Sequence, residues 1–423
     1  MKPRWYMGWL VACLAWAAPA ASSAPLSLEQ VLSEAARHNP TLEVAYAQMR
    51  QAEADVIQAE QLENPQLEAR WLWPSGAGGG TREVSLSFNL IDLFNRGGRV
   101  RSAEQRQQAA WKRTLERALE LEAELKASYY TVQGHLQALD EQKVLLQLAE
   151  LQAELAGRQR RAGNIPALWL AQSQAELIRS RTQLYERQLA LFRARQELAR
   201  LMGQPERGET LEVEAQLAEL PAGDQRTAPE LAAEALAGRP DLKALQFEVQ
   251  ALRSDRDQQD WLVFDGTRLS YHLESEPQRN WQGVGLSMPL PLLNQRQGEK
   301  ARLEAQVDEQ QARQKQLSQQ VQTEVKTHLV QMATARLRVE QLQQMVPLRQ
   351  EMLQLARQQY NAMLKGNFEL LGFRGEASNA LMTLADAKAD YWRARTELER
   401  TLGRSILADS LKPQEMKEQE TRP

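Results

Sequence analysis

Four short segments of this chain alternate strictly between apolar and polar residues. Over 66–73, Leu67, Ala69, Trp71 and Trp73 share one parity and Gln66, Glu68 and Arg70 the other. Over 83–90, Val84, Leu86, Phe88 and Leu90 alternate with Glu83, Ser85, Ser87 and Asn89. Further on, Leu269, Tyr271 and Leu273 alternate with Arg268, Ser270, His272 and Glu274, and a turn near 276–280 leads to Val284, Leu286, Met288 and Leu290. A period of two is that of a β-strand with one apolar face, so two strand pairs are predicted. The Gly-rich stretch 74–80 supplies the first turn.

The rest of the pattern is helical. From Arg99 to Arg160 there is no proline, and glycine occurs only at Gly134 and Gly157, which predicts a helix of about 60 residues, about 90 Å long. Leu125, Tyr129, Val132, Leu136 and Leu139 follow the heptad spacing of a coiled-coil seam, and a helix of that length needs partners along its whole extent. Its counterpart runs from Arg296 to Lys365, where Pro347 is expected to bend or divide it. Shorter helices are predicted over 41–63 and 167–202, and again over 241–262 and 369–402. Laid end to end, the first pair nearly matches its long helix, and the second matches more loosely. The expected arrangement has two short helices antiparallel to one long helix in each half, in a bundle longer than a bilayer is thick.

The halves repeat one another. Asn39-Pro40-Thr41-Leu42 returns as Arg239-Pro240-Asp241-Leu242, and Leu201-Met202-Gly203 as Thr401-Leu402-Gly403, each 200 residues on. Asn95-Arg96-Gly97-Gly98 follows the first strand pair and Asn294-Gln295-Arg296-Gln297-Gly298 the second; Gly163-Asn164 and Gly366-Asn367 mark the ends of the long helices. The fold class is mainly α with a small β part and an internal duplication, with repeats at 21–225 and 226–408 and a disordered tail at 409–423. Length alone would suggest two or three ordinary domains; the duplication favours one interleaved unit.

Composition adds a destination. Lys2 and Arg4, the apolar run Trp5 to Ala18, and Ala18-Pro19-Ala20 form the pattern of a secretory signal over 1–20, cleaved after Ala20. Cleavage after Ala24 and lipidation at Cys13 are the competing readings. Beyond residue 20 there is no cysteine, so passage through an oxidising compartment involves no disulfide. No later stretch approaches the roughly 20 apolar residues of a spanning helix, so a membrane crossing would have to be made by strands. A net charge of -3 offers no basic surface for nucleic acid.

The strand pairs are open to two readings, soluble hairpins packed on the helices or fragments of a membrane wall. Their length is near the roughly 9–11 residues of a tilted membrane strand. Trp71, Trp73 and Trp281 stand near their ends, where an aromatic girdle would lie. Four strands leave two open edges, which lipid does not tolerate, so closure would need several copies. Two copies give eight strands and three give twelve; only the wider barrel comfortably leaves a water-filled lumen.

The order of helix, strand pair, long helix, turn and returning helix, all given twice, resembles the TolC family of outer-membrane efflux proteins over nearly the whole chain. The residues that carry the likeness are Leu28-Glu29-Gln30-Val31-Leu32, Asn39-Pro40, Asn64-Pro65-Gln66-Leu67 and the stretch from Gly285 to Asn294. They are most similar to the branch serving heavy-metal resistance. The resemblance implies a TolC-like homotrimer in the outer membrane of a Gram-negative bacterium. In it a transmembrane β-barrel with four strands per subunit continues into a long antiparallel coiled-coil helical barrel in the periplasm. It implies a periplasmic adaptor and an inner-membrane resistance-nodulation-division pump as partners. It also implies adaptor docking at the helix tips, Gly163, Asn164 and Ile165 with Gly366, Asn367 and Phe368. The family's acidic positions at the tunnel mouth are Gly372 and Gly375 here, so Glu369, Glu376 and Arg374 are the candidate charges of the aperture.

No catalytic, cofactor or metal site is expected. His38, His135, His272 and His328 lack ligand spacing and are read as solvated or helix-surface residues, and neither a phosphate loop nor a nucleophile elbow is present. The expected function is a passive conduit for metal ions or small toxic compounds. A periplasmic adaptor and a structural coiled-coil protein are the alternatives: the first should have one hairpin and compact β domains, and the second would leave the strand pairs without a role.

Overall fold

The computed structural model describes residues 25–73, 75, 80–221, 226–276 and 279–404; the signal segment, Cys13 and the tail beyond 404 lie outside them. The elements run α1 (Leu28–His38), α2 (Pro40–Glu60), β1 (Gln66–Leu72), β2 (Thr81–Asn89), α3 (Leu90–Arg161) and α4 (Ala167–Leu201), followed by α5 (Ala228–Gly238), α6 (Pro240–Leu262), β3 (Arg268–Glu276), β4 (Arg279–Ser287), α7 (Gln297–Asn361) and α8 (Asn367–Thr401). Six of the helices keep the 200-residue offset at their first residue, α1 with α5, α2 with α6 and α4 with α8, and the long helices keep it at their last.

The helices form a one-layer wall. Helix α3 has 72 residues, about 108 Å at 1.5 Å each. It packs against α2 and α4 on one side and α6 and α8 on the other, and α7 packs beyond α6 and α8. The short helices therefore stack end to end along the long ones, as their lengths implied. The small residues explain how close the helices come: a Cβ at Gly134 of α3 would lie 2.7 Å from that of Ala389 of α8. At mid-height α1 seals the wall, with Val31, Leu32 and Ala35 packed on Leu125, Tyr129 and Val132 of α3, Leu198 of α4 and Met202 at its C-cap. Helix α5 does the same in the second half on Val321, Val325 and Leu398. These two short helices were not anticipated. Residues 214–221, at the end of the first half, lie across the wall as a strap: Gln133 Nε2 donates to the Glu214 carbonyl (2.7 Å), Trp392 Nε1 to that of Ala218 (3.1 Å) and an Arg336 guanidinium N–H to that of Pro221 (2.9 Å).

Two expectations about the long helices need correcting. Helix α3 begins at Leu90 rather than Arg99, because Asn89, the last residue of β2, caps it by accepting the Ile91 and Asp92 amides. Asn95 to Gly98 are therefore its first turns, and Gly98 is needed there since a Cβ would meet Gln258 Cγ of α6 at 2.6 Å. Helix α7 is not divided at Pro347. Pro347 and Gln343, whose carbonyl loses its helical partner, are both on the exposed side of the helix, where the missing bond costs least.

The strands form a single antiparallel sheet in the order β1-β2-β3-β4, with β1 and β4 as open edges.

Candidate functional site

The strand register decides what each face of the sheet carries. Leu67, Leu86, Tyr271 and Val284 form one cross-strand row, and Ala69, Val84, Leu273 and Gln282 the next. Phe88, Leu269 and Leu286 complete this apolar face. The other face carries the rows Glu68–Ser85–His272–Gly283 and Arg70–Glu83–Glu274–Trp281. Exposure is inverted relative to a water-soluble sheet: on β2 and β3 every apolar-face residue is exposed, whereas Glu83, Ser85, Ser87, Ser270, His272 and Glu274 are buried or half-buried. The polar face satisfies itself, with Arg70 paired to Glu68 at 2.8 Å and Glu83 at 3.3 Å and His272 Nε2 2.7 Å from Ser270 Oγ.

Trp71 lies on the apolar face in the outermost row, level with Arg82, Ser275 and Asn280, and Trp73 is just past the end of β1. Trp281 is a correction. It pairs with Glu274 and so shares the polar face; its parity is opposite to that of Val284 and Leu286. Met288 and Leu290 likewise fall beyond the end of β4.

At the opposite end of the molecule both long helices turn back. Helix α3 closes with Gly163 at φ +78, the Asn164 amide donating to the Gln159 carbonyl at 2.9 Å, the double bond pattern of a left-handed C-cap. The Ile165 carbonyl accepts from Arg160 (3.3 Å). Helix α7 closes the same way, but its left-handed residue is Met363, at φ +59, with the Leu364 amide on the Gln359 carbonyl at 2.9 Å. Gly366 was expected to hold that role. It has φ -85 and stands at the N-cap of α8, where its amide donates to Glu369 Oε2 at 3.2 Å. The partner of Gly163 is the residue 200 positions on, and the partner of Gly366 is Pro166, the N-cap of α4. The two tips meet through Phe368, whose ring lies edge-on to Trp169 at 6.3 Å; Asn367 lines a groove of about 460 Å³ between α3 and α8 with Leu151, Leu155, Tyr360 and Leu370. Met363 and Leu364 stand out into solvent, 93% and 77% exposed.

The predicted mouth residues lie on the first turns of α8. Glu369 is held by its own cap and by Lys365 at 3.9 Å, and Glu376 by Arg349 of α7. Arg374 has no ion-pair partner among the described residues. Helix α8 continues through Gly372 and Gly375. A Cβ at Gly372 would meet nothing, and one at Gly375 only Leu145 at 3.9 Å, so both glycines leave α8 slim.

The halves are tied across the wall by acid–base pairs: Arg106 and Arg113 of α3 to Asp255 and Glu248 of α6, and Arg187 of α4 to Asp386 of α8 at 2.9 Å. Beside the last, His135 of α3 is half-buried, its Nδ1 has no hydrogen-bond partner among the described residues, and burial together with Arg187 lowers its pKa. Among the described residues no group of His, Cys, Asp and Glu has the arrangement of a metal site, and no helix is long and apolar enough to cross a membrane.

The sequence profile described as "Outer membrane efflux protein" matches residues 31–204 and 231–404, one copy on each half. The chain belongs to the outer membrane efflux protein family. Across this family member, 27% identity over 405 residues relates it to the cobalt-zinc-cadmium resistance protein CzcC of Cupriavidus metallidurans, covering 91% of this chain and 92% of that protein. Its fold is that of the Campylobacter jejuni CmeC outer membrane channel (TM-score 0.75, 16% identity, 93% and 89% of the two chains covered) and of the outer membrane protein VceC of Vibrio cholerae (TM-score 0.72, 18% identity, 90% and 96% covered). A twice-matched efflux family and a sheet with an exposed apolar face set aside the adaptor and the plain coiled-coil protein. Membership also places the chain in a family of transport proteins.

Proposed function

We propose that three copies of the chain close their sheets edge to edge into a twelve-stranded barrel in the outer membrane of a Gram-negative bacterium. The observation that carries this is the sheet, whose central strands β2 and β3 expose their apolar face and shelter the middle of their polar face, and which is open at β1 and β4. Apolar residues in water and unpaired edges in lipid are both unfavourable, and joining β4 of one copy to β1 of the next around a water-filled lumen removes both costs. The helical wall supports the same closure. Its two edges carry exposed apolar residues, Ile178, Tyr185 and Phe192 on α4 and Val330, Leu337 and Leu348 on α7, which a rotationally related copy would cover.

The assembly serves as a passive conduit. An inner-membrane resistance-nodulation-division pump supplies the energy, and a periplasmic adaptor docks on the tips around Gly163–Ile165 and on Gly366–Phe368 with Met363. Metal cations are the leading cargo, on the strength of likeness to a cobalt-zinc-cadmium resistance protein over most of both chains. The mouth narrows by approach of the slim α8 helices at Gly372 and Gly375. Arg374 pairs across the subunit boundary with Glu369 or Glu376 rather than facing a ring of carboxylates. Deleting the gene should sensitise the host to cobalt, zinc or cadmium, with rescue by the intact protein; unchanged tolerance to all three refutes the cargo. Single-channel conductance should rise in Glu369→Ala and Arg374→Ala, and unchanged conductance in both refutes the mouth.

A further inference from the structure

Where the sheet meets the helices, the two free sides of α3 differ. Asp92, Arg99 and Arg106 line a polar groove of about 630 Å³ together with Asp55 and Asp255. Leu93 and Phe94 are turned about 100–200° round the helix from Asp92 and are 56% and 61% exposed. Phe94 stacks on Trp261 of α6, with ring centroids 6.0 Å apart and planes 12° from parallel. A tight turn through Gly266 (φ +90) holds the end of α6 at this level, because the Thr267 carbonyl accepts the amide of Leu90, the first residue of α3, at 3.0 Å. Phe264 is exposed beside it, and between β4 and α7 Leu292 and Leu293 are 79% and 93% exposed.

The height of the apolar face shows why this matters. From the Trp71 row to the Phe88 row the strands advance six residues, about 20 Å, which a tilt of about 40° reduces to about 15 Å along the membrane normal. A barrel needs an apolar band about 25 Å tall. The five residues from Leu90 to Phe94 add about 7.5 Å of helix and nearly close the gap. Two turns beyond Phe94 the same side of α3 carries exposed Arg101 and Glu104, and the apolar character ends.

We infer that the lipid-facing surface continues below the sheet as a collar formed by Leu93, Phe94, Trp261, Phe264, Leu292 and Leu293, which sits in the periplasmic leaflet against phospholipid acyl chains. The inference rests on the barrel reading above and is continuous with its apolar face. The stacked aromatic pair occupies the level at which rings favour the boundary between acyl chains and headgroups, and Arg101 reaches the headgroups. The second girdle of the barrel is thus borne by helix ends and a loop.

The test uses the full chain with Cys13→Ser, single cysteines Phe88→Cys, Phe94→Cys, Leu293→Cys and Glu104→Cys, and a bimane label, reconstituted as the oligomer in vesicles with and without dibrominated phosphatidylcholine. Labels at 94 and 293 should be quenched to within twofold of the label at 88, and the label at 104 should not respond. A quenched label at 88 beside unresponsive labels at 94 and 293 overturns the collar and leaves the barrel standing. An unresponsive label at 88 removes the barrel reading and the collar with it. Labels at 94 and 293 shielded from both brominated lipid and aqueous iodide would assign the surface to a neighbouring copy, which also overturns the collar.

Discussion

Val284 and Gly283 are adjacent on β4 and lie on opposite faces of the sheet, which makes them a matched pair for testing which face meets lipid. Val284 is 73% exposed in the row of Leu67, Leu86 and Tyr271, and a Cβ at Gly283 would meet nothing within 4 Å. If the sheet were a soluble hairpin pair, arginine at either position would change stability by no more than about 0.5 kcal/mol. In the barrel the two diverge. Along β1 the Val284 row is four residues below the Trp71 row, about 13 Å of strand or about 10 Å of depth after tilt, and it lies above the Phe94 level by a similar or larger amount. That is close to the middle of the apolar band, where arginine on the lipid face costs about 2–4 kcal/mol per chain, so about 6–12 kcal/mol in a three-fold assembly. Val284→Arg should therefore abolish the detergent-stable oligomer in outer-membrane extracts. Gly283→Arg should assemble normally and reduce cation conductance through the added lumenal charge. Equal behaviour of the two variants, whether both assemble or both fail, refutes the assignment of faces.

Other outcomes follow from particular contacts. Gly203 and Gly403 share the left-handed conformation, at φ +75 and +73, but a Cβ would be 2.1 Å from the His38 carbonyl oxygen at the first and no nearer than 3.4 Å to anything at the second. Gly403→Ala should cost about 1–2 kcal/mol, and Gly203→Ala a further 1–3 kcal/mol or so because the buried α1 packing must shift, read as a lower midpoint of thermal unfolding for Gly203→Ala; equal midpoints contradict the close approach. Met363→Gly should relieve left-handed strain of about 1–2 kcal/mol, offset by about 0.5–1 kcal/mol for the greater freedom glycine loses on folding, and slow hydrogen exchange at the Leu364 amide a few-fold. Burial raises the Glu116 pKa from 4.5 to about 7, helped by Asp241 and Glu120 and opposed by Arg239 and Arg117. A carboxyl raised on folding binds its proton more tightly in the native state, so stability falls as pH rises from about 4.5 to about 7. Glu116→Gln should gain about 1 kcal/mol at pH 8, allowing for solvent screening of this partly exposed group, and nothing at pH 4; a gain independent of pH contradicts the assignment.

Much of this was readable from residue order, and the errors have physical causes. Alternation placed the four strands and heptads the long helices because each period of a half-buried element leaves its own trace. The tip was misplaced because Gly163-Asn164 was matched to the look-alike Gly366-Asn367, whereas the 200-residue spacing kept by the last residues of the long helices leads to Met363, a residue type that seldom adopts φ +59. Trp281 was assigned by nearness to a strand end although its parity already set it apart from Val284. The continuation of β2 directly into α3 was hidden by Gly97 and Gly98, which together signal a turn locally, although Gly98 serves the close crossing with Gln258 of α6 and a Cβ at Gly97 would meet nothing. Phe94, Trp261 and Leu292 gave no periodic signal, since a collar assembled from helix ends and a loop has no repeat of its own.

The central claim is that copies of this chain join to enclose water within lipid. Native mass measurement of the detergent-solubilised protein, followed by insertion of the same sample into a planar bilayer, tests it most directly. The expected result is three chains and a discrete ion conductance; a monomer that needs no detergent and leaves the bilayer silent would contradict it.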